Sequence, residues 1–234
     1  MVAFIFVAAA SKSKKVAPFA AGATDLWERM WPSSGAGGPV TVEVASPDGR
    51  KLLTATYDKT AGVLLRIRSG DLDSIINIGP GVQSAVEWSP DSKAFFLTTS
   101  DQGGEGWYHT LVYFVAKDGI RQVDPTPLIL AAFGHPVRCG RPEDPNVGAI
   151  KWLSDSRHIL MAAEIIGHTI CDSYGTFKVY EVALPELKIV RTYGQLEAKR
   201  LFQDSLGWEI ENAPNNCIRD PKSCWVEGNH KSQQ

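Results

Sequence analysis

Residues 84–100 read SAVEWSPDSKAFFLTTS. A short alternating stretch ends at Trp88, a turn follows at Ser89-Pro90-Asp91-Ser92, and a second apolar stretch begins after Lys93. The turn chemistry is explicit. Pro90 presets φ at the second turn position, Asp91 can accept backbone N–H bonds from the residues just after it, and a small residue closes the turn. The flanks carry β-branched and aromatic residues at period two, the spacing of strands with one face buried.

The pattern occurs three times. Ala45-Ser46-Pro47-Asp48-Gly49 precedes it, and Trp152-Leu153-Ser154-Asp155-Ser156 follows it. The three aspartates, Asp48, Asp91 and Asp155, are 43 and 64 residues apart. A strand-like segment leads into each turn (VTVEV, SAVEW, GAIKW), and a basic residue with a second strand leaves it (RKLLTATY, KAFFLTTS, RHILMAAE). A third segment (VLLRIRS, TLVYFVA, FKVYEVA) and a fourth (SIINIG, IRQVD, KIVRTY) complete each unit. The sequence therefore predicts an all-β array of three four-stranded antiparallel blades, at about 40–80, 84–124 and 148–193. A period near 43 with four strands per unit is a propeller-blade signature. The longer second spacing is accounted for by residues 125–147. Pro125, Pro127, Pro136, Pro142 and Pro145 make that stretch an insertion that no central strand would tolerate.

Trp-Ser-Pro-Asp followed by a small residue, a basic residue and an apolar strand resembles the WD40-like (PD40) β-propeller repeat. That repeat occurs in the periplasmic TolB proteins and in the propellers of prolyl-oligopeptidase-type peptidases. The resemblance spans about residues 40–193. It implies a propeller-like scaffold in which Trp88 and Trp152 are buried between neighbouring blades. Ala45 stands where the tryptophan is expected in the first copy, and Leu153-Ser154 where Ser-Pro is expected in the third. The peptidases also carry a separate α/β-hydrolase domain, for which this chain has no room, so their catalysis does not carry over.

Propellers have about four to eight blades, and a three-blade array leaves raw edges that invite pairing. Three repairs present themselves. The termini can complete a blade through Trp208–Glu211 and Cys224–Glu227, two chains can join three plus three as a homodimer, or Gly194–Trp208 can cover the array. That last segment reads as an amphipathic helix with Leu196, Leu201, Phe202 and Leu206 as its apolar residues. A fragment of a longer propeller is the remaining alternative.

The chain has 234 residues, a net charge of −2 and 44% hydrophobic residues, composition that sits near globular averages. It excludes wholesale disorder and gives no global electrostatic reason to bind nucleic acid. No apolar run is long enough for a membrane span. Val2–Ala10 has the length of a signal-peptide h-region, and Ala8-Ala9-Ala10 supplies small residues for cleavage. Its basic cluster, Lys12, Lys14 and Lys15, follows the run instead of preceding it. Residues 1–22 thus read as a truncated leader and linker, 23–39 as a linker with a short helix, and 194–234 as a C-terminal extension. The expected location is the periplasm or the cell exterior; a cytoplasmic protein beginning with an ordinary strand is the alternative. An even four cysteines fit export. Four cysteines allow three pairings, or four free thiols in a cytosolic protein; Cys217–Cys224 could close a short loop, and Cys139–Cys171 would then pin the insertion to the third blade.

No phosphate loop, dinucleotide fingerprint, zinc-protease helix or nucleophile elbow is present. His135 with Cys139 and His168 with Cys171 form a weaker zinc alternative to the disulfide. The hairpin 101–109 combines glycines with Asp101, Glu105, Trp107, Tyr108 and His109. Glycine permits close backbone approach, and the aromatics can stack on a ligand, so these five are the candidate binding residues. The expectation is a non-catalytic module, without cofactor, that binds a protein or peptide partner through its blade loops. A small hydrolase or lyase with a loop-borne, metal-assisted site is one rival. A structural subunit completing a larger propeller is another.

Overall fold

The computed structural model describes residues 41–58, 62–79, 83–100, 108–134, 137–139, 141–165 and 176–206. The chain is mostly β there. β1 (Thr41–Ala45), β2 (Lys51–Asp58), β3 (Gly62–Ser69) and β4 (Leu72–Gly79) form one antiparallel sheet in sequential order. β5 (Gln83–Trp88), β6 (Ala94–Ser100), β7 (Tyr108–Ala116) and β8 (Gly119–Val123) form the second. Then come α1 (Thr126–Phe133) and a two-stranded ribbon, β9 (Val137–Cys139) with β10 (Arg141–Glu143). The third sheet is β11 (Asn146–Trp152), β12 (His158–Glu164), β13 (Phe177–Ala183) and β14 (Lys188–Tyr193), followed by α2 (Gln195–Leu206). Among the described residues no helix is long and apolar enough to cross a membrane.

Period-two alternation sorts side chains onto two faces of each sheet. Leu53, Ala55, Leu65 and Ile67 of the first sheet share a core with Val86, Trp88, Phe95, Leu97 and Tyr113 of the second. The opposite face of the second sheet, with Phe96 and Val112, meets Val147, Trp152, Ile159, Met161, Tyr180 and Val182 of the third. Beyond the third sheet, Ile150, Leu160, Ala162, Phe177, Val179 and Tyr193 pack on Ala198 and Leu206 of α2. The sheets thus stack face to face, and the ends of the array are sheet faces instead of the sheet edges the sequence suggested. Each fully buried large apolar side chain contributes about 1.5–3 kcal/mol, so these three cores supply most of the stability.

The insertion holds no central strand, as its prolines led one to expect, but it does hold a helix and a two-stranded ribbon. Pro125 and Pro127 sit at the start of α1, where a missing N–H costs nothing, and Gly134 ends the helix in the left-handed region at φ 98°. Ile129 is fully buried in the core between the second and third sheets. Pro142 lies in a ribbon of only two strands, where each strand is an edge. α2 also presents a different face from the expected one. Leu196 and Leu201 are exposed, whereas Ala198 and Leu206 are fully buried and Phe202 partly so. The helix is kinked at Phe202, whose φ is −127°, and on both sides of the kink it packs on the third sheet through Ala198, Phe202 and Leu206.

Candidate functional site

The two ends of the sheets are built differently. At one end all strands are joined by tight turns. In the first unit Ser46 Oγ donates to Asp48 Oδ1 (2.6 Å), and the N–H groups of Arg50 and Lys51 donate to Asp48 Oδ1 and Ser46 Oγ (both 3.0 Å). The second repeats this with Ser89 Oγ to Asp91 Oδ1 (2.8 Å), Lys93 N–H to Asp91 (3.1 Å) and Ala94 N–H to Ser89 (3.0 Å). In the third, Leu153 cannot supply a hydroxyl. Asp155 instead accepts from the N–H groups of Arg157 (2.9 Å) and His158 (3.1 Å) and pairs with the His158 ring.

All three carboxyls lie below their ordinary pKa. Ser46 is the main cause at Asp48. At Asp91 and Asp155 desolvation pushes upward, but hydrogen bonds and the neighbouring Lys93 or His158 outweigh it.

These turns also tie one sheet to the next. Asp48 N–H donates to Ser92 Oγ (3.0 Å), and Asp91 N–H donates to Ser156 Oγ (2.9 Å). The indole N–H of Trp88 donates to the Val44 carbonyl, and that of Trp152 to the Glu87 carbonyl, both at 3.1 Å. Both tryptophans are 5% exposed. Asp48, Trp88, Asp91, Trp152 and Asp155 therefore belong to a structural frame.

The other end carries the segments 59–61, 101–107 and 166–175, which lie outside the described residues, and the connections between sheets. Here the buried polar groups follow no repeat. Thr98 Oγ1 and Thr110 Oγ1 lie 2.9 Å apart, and both accept from Ala149 N–H at 3.1 Å, joining the second sheet to β11. Thr126 Oγ1 accepts from Thr110 N–H (3.0 Å) and donates to the Thr110 carbonyl (3.1 Å), replacing ladder bonds where β8 has ended. Tyr108 N–H donates to Asn146 Oδ1 at 3.3 Å. Asn146 is only 4% exposed, and its Nδ2 has no hydrogen-bond partner. Glu164, also buried, stands directly across the β11–β12 ladder from Asn146. Where α2 starts, Glu197 is buried and accepts from Arg191 (2.8 Å), and Tyr193 donates to Glu181 (2.8 Å). Burial first, then the Glu181 bond, pushes the Tyr193 hydroxyl up to about 12.

Of the expected binding residues, Tyr108 and His109 open β7. Tyr108 is buried, whereas His109 is exposed with its Nδ1 3.1 Å from Thr99 Oγ1. Asp101, Glu105 and Trp107 lie outside the described residues, as do His135, His168, Cys171, Cys217 and Cys224. Cys139 ends β9, and its side chain is likewise outside them. The residues that sequence reasoning missed are Asn146, Glu164 and the Thr98–Thr110–Thr126 set. Only one signal pointed to Glu164: it is a lone carboxylate closing an otherwise apolar strand, HILMAAE. Comparison of the chain with protein-family models and with curated proteins found no match.

Proposed function

We propose that this chain is a non-catalytic, WD40-like propeller module that binds a protein or peptide partner at the loop end of its second and third sheets. The sheets act as blades. Recurring sheet-to-sheet bonds from Trp88, Trp152, Ser92 and Ser156 support that reading, because a propeller repeats one interface around its array.

One observation carries the site. The unpaired amide donor of buried Asn146 lies at the end where Tyr108 and His109 also sit. A buried polar group without a partner costs about 1–3 kcal/mol, and an acceptor oxygen from a bound peptide would relieve that cost. Thr54 Oγ1 and Tyr180 OH are likewise buried without a partner, but they lie mid-strand in β2 and β13, and the described tight turns meet their polar needs through their own bonds. On the same reading the module works in the periplasm or outside the cell, consistent with Val2–Ala10 and the four cysteines.

Photo-crosslinking tests the placement. A photoreactive residue goes in at His109, or at Lys93 on the turn end, and both proteins are exposed to an extract of the source cell. Adducts with a discrete partner from position 109 and none from 93 are expected. Adducts from 93 alone would overturn it.

A further inference from the structure

Two bonds recur between sheets, and both run one way. At each interface the later sheet reaches back with two side chains. The tryptophan closing its first strand donates its indole N–H to an open carbonyl of the preceding first strand. A turn serine four residues later receives an N–H from the preceding turn's aspartate. In these two bonds the earlier sheet contributes backbone alone; Glu87, Thr98 and Thr110 of the second sheet also reach the third with side chains, but the Trp–Ser pair is the part of the joint common to both interfaces.

The first sheet lacks the pair. At the matching positions it has Ala45, with no indole, and Gly49, with no hydroxyl. Both serines pay a conformational penalty to be where they are. Ser92 has φ 63° and Ser156 φ 57°, in the left-handed region that favours glycine, while Gly49 occupies the same region at φ 70° without strain. Glycine is the better local choice, so the serines are explained by the bond between sheets. The back of the first sheet is correspondingly polar. Glu43, Arg66, Arg68, Asp73 and Asn77 are exposed or partly exposed there, and Ile75 is 66% exposed. At the far end, α2 already covers the receiving face of the third sheet. Ala198 and Leu206 are buried against it, and Ser205 Oγ accepts from Lys151 Nζ (3.0 Å).

We infer that the Trp–Ser pair decides which sheet can follow which, and that Ala45 and Gly49 bar the first sheet from following another. Copies of this chain consequently do not close head to tail into a ring.

Amide hydrogen exchange on full-length Ser92→Gly tests the joint with almost no change in volume. Glycine relieves the local strain, yet exchange in β1–β4 is expected to accelerate by about tenfold, the loss of one net hydrogen bond, while β11–β14 keeps its protection. Unchanged or slower exchange in β1–β4 would overturn the inference. Trp88→Phe with Ser92→Gly serves as the second variant and should enlarge the same selective effect.

Light scattering of the full chain tests the bar. A mass near 25.5 kDa at all concentrations is expected. A two-chain particle that dissociates on Ile75→Arg would overturn it. One indifferent to Ile75→Arg leaves the back of the first sheet unused, and the bar stands.

Discussion

The turn end and the loop end of the sheets solve the same problem in opposite ways. Both must satisfy backbone groups where strands stop. At the turn end the solution is periodic. Ser46, Ser89 and Ser92 are buried, and each has its partner in its own turn or the preceding one. At the loop end the solution is local and uneven. Threonines from β6, β7 and α1 stitch one junction together, while Asn146 keeps an unpaired donor beside Glu164. Repetition marks the groups that hold the array together. Among the described residues the loop end shows no such repetition.

Breaking the frame should cost most. Trp152→Ala removes a ring buried between the second and third sheets, stacked near Phe96 with centroids 6.5 Å apart. A loss of about 3–5 kcal/mol is expected in denaturant unfolding. Thr110→Val probes the loop end at nearly constant shape. It strips one acceptor from Ala149 N–H, which keeps Thr98, and strands the Val147 carbonyl that Thr110 Oγ1 reaches at 3.4 Å. The expected loss is about 1–2 kcal/mol.

Tyr193 sharpens the comparison in alkali. Its folded pKa is raised, so its contribution is complete below the ordinary value near 10 and fades as pH rises toward about 12. Tyr180 and Tyr113 are also raised by burial, so ultraviolet titration of Tyr193→Phe should lose one late tyrosine and keep the others late.

The turn aspartates sharpen it in acid. Their folded pKa values are depressed, so their contribution is complete above about pH 4, the ordinary carboxylate value, and is lost as pH falls below it. For partly exposed Asp91 the loss should stay under about 1 kcal/mol once solvent screening is allowed for. Asp91→Asn should flatten that limb of a pH–stability curve.

The strands were legible because their turns are. Ser-Pro-Asp and its variants fix chain reversal locally, and the flanking alternation needs no tertiary information. The three four-stranded sheets accordingly fall close to the segments the repeat marks out. α1 was not legible because prolines were weighed only against strands, whereas the same residues start a helix well. The buried side of α2 was missed because Leu196 and Leu201 outrank Ala198 in hydrophobicity, and packing, not hydrophobicity, chose the face. Of the candidate site, Tyr108 and His109 were legible from the aromatic, glycine-rich hairpin. Asn146 and Glu164 were not, because an amide at a strand start and a carboxylate at a strand end are ordinary surface residues until two sheets and a helix close around them.

The one-way joint also says how such an array can lengthen. The second and third units each carry both halves of the joint, the Trp–Ser pair and a turn whose aspartate N–H can donate to a following serine. A duplicate of either arrives ready to be spliced into the middle. A duplicate of the first unit brings that turn and no means of attachment, so growth by internal copying is permitted everywhere except at the front.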